Sequence, residues 1–359
     1  MYDRSQLVRV LVADDSAFMR TALTRMIESD PSLRVIGTAQ TGLETLEKVL
    51  ALQPDVVTLD VEMPGLNGIE ALKRIMTECP RPVIMVSSLT QEGAETTLEA
   101  LAIGAFDCVP KQLSYVSLDI VKIRDDLIAK VRAAAEVGRR RPVAKVTRAV
   151  TPAFAAQIAS PARVAPSIIA LGTSTGGPKA LQEILPLLPA DLPVGVLIVQ
   201  HMPPGFTAPF ARRLDGLCKV SVREAADQDG IEPGVVYIAP AGKHMTVQRY
   251  TASKVVIRIS PTPENTLHRP SVDVMMASVA EVFRGLSMGV IMTGMGADGV
   301  LGMEAIKRAG GLTVGQDEAS CTVYGMPRSC AEAGVLQRVV TLMKIPETMM
   351  QATHYKRRA

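Results

Sequence analysis

The stretch IIALGTSTGGPKAL at residues 168–181 runs from an apolar segment through a glycine-rich turn into a helix-like pattern. The apolar run is short and continuous, which is typical of a strand buried on both faces of a parallel sheet. Pro178 occupies a favoured position for the first turn of a helix. In an open α/β sheet the functional groups collect where the strands end, and Ser174 follows such an end.

The turn that holds Ser174 matches Gly-x-Ser-x-Gly at residues 172–176. Small flanking residues permit the sharp strand-to-helix turn that exposes a nucleophilic hydroxyl, and the helix N-terminus favours negative charge there. A Walker A loop would need Gly-Lys-Ser/Thr where GPKA stands, and the Gly-x-Gly-x-x-Gly spacing is absent. A serine that only caps the following helix remains an open alternative.

A nucleophilic serine needs a base, and the sequence has four histidines. His201 directly follows the next apolar run, VGVLIVQ, so the carboxyl ends of two parallel strands would bring it towards the serine. His244 begins a predicted strand, His268 lies in a polar loop, and His354 belongs to the basic tail. His201 is therefore the favoured base, with His244 and His268 as alternatives.

The base needs a carboxylate that orients it. Asp298 follows the apolar run VIMTG in a glycine-rich loop, again at a strand end. Asp273 is the second choice, because its place at a predicted helix start suits a cap. The same loop offers the backbone N–H of Met295 as an oxyanion donor. The order Ser, His, Asp along the chain differs from that of α/β-hydrolases and indicates another sheet.

Residues 7–135 alternate strand-like and helix-like segments in five units, which predicts an open doubly wound domain. The strand-like segments are LVRVLVAD, LRVIGTA, DVVTLD, PVIMVSS and AFDCV. Polar side chains follow four of them: Asp14 and Asp15, Asp60, Ser87 and Lys111. Carboxylates gathered at one sheet edge repel one another and favour a hard cation such as Mg²⁺.

This first region resembles the receiver domain of bacterial two-component signalling in VADDS, LDVEMPGLNG, VSS and VPK. The resemblance implies that Asp60 accepts a phosphoryl group from a histidine kinase. It also implies that Asp14, Asp15 and Asp60, with a backbone carbonyl at Glu62, hold Mg²⁺.

The same resemblance implies that Ser87 and Lys111 contact the phosphoryl oxygens. Two residues depart from the receiver pattern. Gln112 stands where proline usually follows the lysine, and Cys108 stands where an aromatic switch residue is common. These departures affect the expected loop geometry and switching route rather than the acidic pocket.

Five motifs in the second region resemble the CheB family of chemotaxis protein-glutamate methylesterases: GTSTGGP, QHMPPGFT, YIAPAGKHM, HRPSVDVM and MTGMGADG. The resemblance implies a catalytic triad of Ser174, His201 and Asp298, with oxyanion stabilisation near Thr175 and Met295. It implies a phosphorylation-regulated hydrolase that demethylates glutamyl methyl esters and deamidates glutamines on methyl-accepting chemoreceptors. The esterase would need no cofactor, and a chemotaxis histidine kinase would supply the phosphoryl group.

The length of 359 residues favours two domains. We predict a receiver at 1–135, a basic linker at 136–165, an esterase domain at 166–348 and a basic tail at 349–359. The fold class is α/β, with two doubly wound parallel-sheet domains: an N-terminal flavodoxin-like receiver and a C-terminal α/β esterase domain. Short alternating segments between Cys218 and Ser260 predict a small antiparallel addition to the second domain.

Composition narrows the function classes. The net charge of +3 is too small to indicate nucleic acid, and no apolar run reaches the ~18 residues of a membrane span. The five scattered cysteines indicate buried apolar residues in a reducing cytoplasm. We expect a cytoplasmic enzyme that acts at receptor arrays without being a membrane protein. A catalytically inactive receiver-plus-interaction module remains the alternative.

Overall fold

A computed structural model describes residues 7–88, 90–111, 117–139, 165–252 and 254–355. Most of the predicted linker, from residue 140 to 164, lies outside these ranges, as does Gln112. Within the described part of the chain, no helix is both long and apolar enough to span a bilayer.

The first domain is a five-stranded parallel sheet with the strand order β2-β1-β3-β4-β5. Its elements are β1 (Val8–Ala13), α1 (Ala17–Glu28), β2 (Leu33–Ala39), α2 (Gly42–Leu52), β3 (Val56–Asp60), α3 (Gly68–Glu78), β4 (Val83–Ser87), α4 (Gln91–Ile103), β5 (Asp107–Pro110) and α5 (Ser117–Arg139). Polar caps begin helices α1 to α4, and at α3 the Asn67 side chain and Glu70 form a reciprocal capping box.

The second domain is a seven-stranded parallel sheet with the order β14-β13-β12-β6-β7-β9-β8. The strands of this sheet are β6 (Ile168–Thr173), β7 (Gly195–Gln200), β8 (Ser221–Glu224), β9 (Val235–Ile238), β12 (Ser287–Ile291), β13 (Leu312–Gln316) and β14 (Arg338–Val340). Two further strands, β10 (His244–Arg249) and β11 (Val255–Ser260), form a separate two-stranded sheet. Its helices are α6 (Gly177–Ile184), α7 (Thr207–Asp215), α8 (Val272–Phe283), α9 (Val300–Arg308), α10 (Met326–Glu332) and α11 (Ile345–Ala352).

The predicted fold class is confirmed for both domains, and a small antiparallel sheet is present. The extent of that sheet was predicted wrongly. Of the described strands in this region, β10 and β11 pair antiparallel, whereas β8 and β9 join the main sheet as parallel strands. Short alternating strands at a sheet edge resemble an antiparallel hairpin in sequence because one face of an edge strand is exposed.

In both sheets the strand order changes direction at one strand, and polar residues follow the carboxyl ends of the strands there. In the first domain, β1 lies between β2 and β3. In the second, β6 lies between β7 and β12. Each reversal opens a crevice at the carboxyl ends of the strands, where ligands bind in folds of this kind.

Two predicted domain boundaries fall inside helices. Helix α5 continues through residue 135 to Arg139, and α11 continues through residue 348 to Ala352. Met349, at the start of the predicted tail, is fully buried. The start of the predicted tail is therefore a packed part of the second domain, whereas residues 136–139 extend the last helix of the first domain and are mostly exposed.

The prediction that all five cysteines are buried was wrong for three of them. Cys108 and Cys330 are buried, but Cys79, Cys218 and Cys321 are only partly buried. These three lie at the ends of helices and turns, near the surface. Burial nevertheless raises the pKa of Cys218 to about 11 and that of Cys321 to about 12, which disfavours thiolates.

The two domains contact each other through the α4–β5–α5 side of the first domain. Helix α4 packs against α6 and α7, and Val323 packs against the apolar core of the first domain. An exposed ion pair joins Arg212 to Glu95 at 3.4 Å. Buried apolar residues of both domains form one connected cluster, so the first domain lies directly against the second.

Candidate active site

Ser174 lies in the turn between β6 and α6, and neighbouring strands fix its backbone. Its N–H donates to the carbonyl of Thr293 at 3.0 Å, and its carbonyl accepts from Gly177 at 2.8 Å. A Cβ at Gly294 would lie 2.9 Å from the Ser174 Cβ, so only glycine permits this approach. The N-cap of α6 is Gly176, without a side-chain cap, which excludes the capping interpretation of Ser174.

His201 and Asp298 come together beside this turn. His201 directly follows β7, and its backbone N–H donates to the carbonyl of Thr173 at the end of β6. Its Nε2 lies 2.8 Å from Oδ2 of Asp298, and both side chains are about nine-tenths buried. The imidazole Nδ1 is buried and has no hydrogen-bond partner among the described residues. The ring therefore has one nitrogen held by the carboxylate and one available.

The charge of Asp298 is stabilised from several sides. Its oxygens accept from the Ser271 hydroxyl at 2.8 Å and from the N–H groups of Val272 and Asp273 at 2.7 and 3.0 Å. Burial disfavours the carboxylate, but the contact with His201 and these N–H donors outweigh it. Together they hold the pKa of Asp298 below its usual range. Asp298 is therefore ionised at neutral pH.

Asp273, the second candidate for the orienting acid, has a different task. Its Oδ1 accepts from the N–H groups of Gly299 and Gly302 at 2.9 and 2.8 Å. Asp273 thus caps the start of α9, while Asp298 caps the start of α8. Each of the two carboxylates thus accepts N–H groups at the start of the helix that contains or follows the other, which holds the loop of Asp298 against α8. Asp298, rather than Asp273, is then the residue in contact with His201.

The other two histidines near the site do not contact Asp298 through a hydrogen bond. His244 is fully buried, its Nε2 lies 3.0 Å from the carbonyl of Pro263, and its Nδ1 accepts from the N–H of Ser271. His268 stacks on His201, with ring centroids 4.1 Å apart and planes 19° from parallel. His244 is a structural residue, and His268 belongs to the wall of the cleft.

Two backbone donors remain available beside Ser174. Among the described residues, neither the N–H of Thr175 nor that of Met295 has a hydrogen-bond acceptor. The Thr175 side chain is engaged elsewhere, since its hydroxyl donates to Oδ2 of Asp107 at 2.5 Å. Asp107 begins β5 of the first domain, so a residue beside the candidate nucleophile contacts the neighbouring domain.

The first domain holds an acidic pocket at the end of β1 and β3. Asp14, Asp15 and Asp60 each offer one oxygen within 4.8 Å of the others. Lys111 Nζ donates to Asp60 Oδ2 at 2.5 Å and lies 3.2 Å from Asp14 Oδ2. Asp14 Oδ2 is buried, so the ion pair with Lys111 is what compensates its charge. Three carboxylates within reach of one another offer the oxygen ligands that a divalent cation prefers.

Burial in this pocket raises the pKa of Asp60 to about 6, with Asp14 adding to the effect and Lys111 opposing it. The pKa of Asp14 is also raised, mainly by burial. The N–H of Glu62 donates to Asp60 Oδ1 at 3.1 Å. The Ser87 hydroxyl instead lies 3.2 Å from the carbonyl oxygens of Ser88 and Gly93, which share its one proton. Of the predicted pocket residues, Ser87 is thus the one whose side chain is bonded away from Asp60.

The raised pKa of Asp60 gives a stability prediction. A carboxyl with a raised pKa in the folded state binds its proton more tightly there than in the unfolded state. Ionising Asp60 therefore lowers the stability of the folded protein, and this loss is complete once the pH has risen above about 6. We expect Asp60→Asn to stabilise the metal-free protein at pH 7 by about 1–3 kcal/mol, with little gain at pH 4. Chemical unfolding followed at both pH values measures this difference.

The matched control is Glu47→Gln, which neutralises an exposed carboxylate outside the pocket. We expect it to change neither the stability nor the response to Mg²⁺. Mg²⁺ should stabilise the wild-type protein more than Asp60→Asn, because the variant lacks one carboxylate of the pocket. An Asp60→Asn protein that is less stable than wild type at pH 7 would contradict the prediction.

Sequence reasoning missed three contacts at the catalytic side. These are the bond from Thr175 to Asp107, the stack of His268 on His201, and the Ser271 hydroxyl on Asp298. The serine in HRPSVD carried a detectable signal, because a serine before an apolar helix is a typical N-cap. The contact between the domains had no local signal, since it depends on how the domains pack.

Comparison with known proteins identifies relatives of both domains. The sequence model described as CheB methylesterase matches residues 169–349, and that described as response regulator receiver domain matches residues 10–120. A protein-glutamate methylesterase/protein-glutamine glutaminase of Symbiobacterium thermophilum is 48% identical over 98% of this chain and 99% of its own. One from Pyrococcus horikoshii, with the same name, is 47% identical over 96% of this chain and 93% of its own.

A solved structure gives the same result for the second domain. The Thermotoga maritima CheB methylesterase catalytic domain is 39% identical, with a TM-score of 0.51 over 52% of this chain and 99% of that one. The full-length relatives span both domains in one chain, as this protein does. The protein therefore belongs to the CheB methylesterase family and carries an N-terminal response regulator receiver domain.

Proposed function

We propose that this protein is a phosphorylation-regulated protein-glutamate methylesterase and protein-glutamine glutaminase acting on methyl-accepting chemoreceptors. The contact of His201 with Asp298 at 2.8 Å, beside the Ser174 turn, carries the proposal. The names of the full-length relatives support the reaction class. The site then performs adaptation chemistry, in which receptor methyl esters are returned to carboxylates.

The reaction proceeds by acyl transfer through Ser174. Because Asp298 holds Nε2 of His201, Nδ1 is the nitrogen that accepts the serine proton. The serine oxygen attacks the ester carbonyl, and the imidazolium is stabilised by the carboxylate. The C–O bond to methanol breaks as His201 returns the proton to the leaving group. Water then hydrolyses the glutamyl-enzyme; from a glutamine substrate the leaving group is ammonia.

The free N–H groups of Thr175 and Met295 form the oxyanion site. Both flank the turn of Ser174, one directly after it and one in the loop that carries Asp298. A donor aimed at the developing charge contributes about 3–4 kcal/mol to the transition state. Neither donor depends on a side chain, so substitutions at these positions act through backbone geometry rather than through lost chemistry.

Regulation is built on strand β5, which reaches from one site to the other. Asp107 at its start accepts from Thr175, and Lys111, just beyond its end, bonds Asp60. Phosphorylation of Asp60 replaces a carboxylate with one negative charge by a phosphoryl group with nearly two, within reach of Lys111. We propose that the resulting shift of β5 loosens the Asp107 contact and moves the receiver away from the cleft.

Removing the Asp107 carboxylate should therefore activate the unphosphorylated enzyme. We expect Asp107→Ala to raise basal methanol release roughly tenfold, because a charge-assisted hydrogen bond that favours the closed arrangement is lost. The control is Arg212→Ala, which removes only the exposed ion pair with Glu95 and should change the rate less than about twofold. Basal rates of the two variants, measured without a phosphoryl donor, give the answer.

A second measurement compares the full chain with fragment 166–359. If the receiver covers the cleft, the fragment should match or exceed the phosphorylated full chain. An unphosphorylated full chain as active as the fragment would refute the cover. An inactive fragment that is folded by circular dichroism would mean that the receiver completes the site instead.

Methanol release from methylated receptor, with and without a phosphoryl donor, tests the activity itself. Release that rises with the donor supports a regulated esterase. The alternative, an inactive receiver-plus-interaction module, predicts no release and no labelling of Ser174 by a fluorophosphonate. The intact serine, histidine and aspartate argue against that alternative.

The remaining assignments follow from the family. Asp14, Asp15 and Asp60 would hold Mg²⁺ together with the backbone at Glu62, and the cation supplies charge compensation for phosphoryl transfer to Asp60. Ser87 and Lys111 contact the phosphoryl group once it is present. A chemotaxis histidine kinase is the donor. The enzyme works in the cytoplasm at receptor arrays, and its esterase reaction uses no cofactor.

A further inference from the structure

His268 lies flat against the imidazole of His201. The ring centroids are 4.1 Å apart and the planes differ by 19°, which is a stacked arrangement. Most residues around it, from Pro261 to Leu267, are exposed, yet His268 itself is half-buried. Its neighbour Leu267 is 92% exposed. The segment thus turns one side chain inward, onto the ring of the candidate base.

Backbone contacts on both sides of His268 hold the segment in place. The carbonyl of Arg269 accepts from the N–H of Gly242 at 3.0 Å. The N–H of Ser271 donates to Nδ1 of the buried His244, whose Nε2 in turn contacts the carbonyl of Pro263. The imidazole of His268 is therefore presented from a braced segment rather than from a free loop.

The His201 ring needs such a neighbour. One hydrogen bond, from Nε2 to Asp298, fixes a single point of the ring, and Nδ1 has no partner among the described residues. Rotation of the imidazole about its Cβ–Cγ bond would move Nδ1 out of the position from which the proposed mechanism has it accept the serine proton. Nε2 lies closer to the axis of that rotation, so its contact with Asp298 would not break completely. A flat group against one face blocks that rotation, because the ring cannot turn without striking it.

The stacked ring must also be uncharged, since a cation there would oppose the imidazolium that forms on His201. Burial and the neighbouring His201 lower the pKa of His268 to about 4. The other charged groups that face it are Asp298, and Asp126 and Lys130 on receiver helix α5. Lys130 pairs with Asp126 at 3.0 Å, so the effects of their opposite charges on His268 largely cancel. His268 is neutral throughout the working range.

We propose that His268 is a positioning residue: it stacks as a neutral ring on His201 and keeps Nδ1 directed at the serine. The proposal rests on the role assigned above to His201 as the base. His268 touches neither the ester nor the leaving group in this scheme. Its contribution is to restrict the orientation of the residue that does.

Three substitutions in the full-length, phosphorylated enzyme test the proposal. His268→Phe keeps a flat neutral ring and should retain kcat within about threefold. His268→Leu keeps apolar volume without a flat face and should lower kcat about 10- to 100-fold, with KM changed less than about twofold. His268→Arg keeps a flat group but adds a permanent charge, and should move the acid limb of kcat/KM to lower pH. The control is the exposed Leu267→Ala, which should match wild type.

The outcomes separate positioning from simple packing. Equal kcat for the Phe and Leu variants, or a loss confined to KM, overturns the proposal. Should the Leu variant fail to fold in a thermal melt, the pH profiles of the Phe and Arg variants decide, and an unchanged acid limb in the Arg variant overturns it. Fluorophosphonate labelling of Ser174 in the wild type distinguishes these failures from a failure of the triad, which would leave Ser174 unlabelled.

Discussion

Replacing Ser174 with alanine is expected to abolish methanol release, with kcat lower by roughly 10⁴- to 10⁶-fold. The proposed mechanism forms the acyl-enzyme on this hydroxyl, and the neighbouring hydroxyls of Thr173 and Thr175 are bonded to other groups. The backbone of residue 174 carries the structural contacts, to Thr293 and Gly177, and alanine preserves both. The thermal melting temperature should therefore stay within about 2 °C of wild type.

The measurement is methanol release from methylated receptor in the presence of a phosphoryl donor. Thr173→Ala is a poor control because it removes a hydroxyl that donates to the carbonyl of Thr293 within the core. Ser221→Ala is better matched, since Ser221 is an exposed serine at the start of β8. It should leave the rate unchanged. Retention of most activity by Ser174→Ala would remove the nucleophile from the account.

Asp298→Asn should lower kcat by roughly 10³- to 10⁴-fold, and it should also destabilise the fold. Asparagine removes the charge that stabilises the imidazolium of His201. Each oxygen of Asp298 now accepts a backbone N–H, Oδ2 from Val272 and Oδ1 from Asp273. Whichever way the amide is turned, its NH₂ group faces a donor. Both effects follow from one substitution.

The comparison with Asp273→Asn identifies the orienting acid. Asp273 accepts both of its backbone N–H groups through Oδ1, so asparagine can keep them with its carbonyl oxygen. We expect this variant to retain kcat within about tenfold, with a smaller loss of stability. Rates and denaturant midpoints for both variants decide the matter. A larger kcat loss in Asp273→Asn than in Asp298→Asn would reverse the assignment.

The sequence predicted the features that depend on local pattern. Apolar runs that end in Asp14, Asp60, Ser174 and His201 each became a buried parallel strand with the polar residue at its carboxyl end. Strands β6 and β7 are parallel neighbours, so their carboxyl ends lie at the same edge of the sheet. The residues that follow them, Ser174 and His201, are therefore close together. Helix caps and the turn at Ser174 are equally local, which is why they were open to prediction.

Other features were beyond local pattern. The pairing of β8 and β9 with the main sheet depends on competition between strand partners that alternation does not reveal. The stack of His268 requires a bend of the segment after β11, and the bond from Thr175 to Asp107 requires two domains to meet in one orientation. Such contacts are consequences of tertiary packing, so single-residue signals for them do not exist.

The four residues of β5, with Lys111 next in the chain, separate the phosphoacceptor pocket from the contact at Thr175 by about 13–17 Å of extended chain. If phosphorylation acts on the cleft through this short link, as proposed, the coupling between the two sites is reciprocal. If phosphate on the receiver eases entry of a receptor segment, an occupied cleft must by the same factor favour the phosphorylated receiver. Substrate would then raise the equilibrium fraction of phosphorylated receiver at a given level of phosphoryl donor, and that fraction would report how crowded the array is with methylated sites.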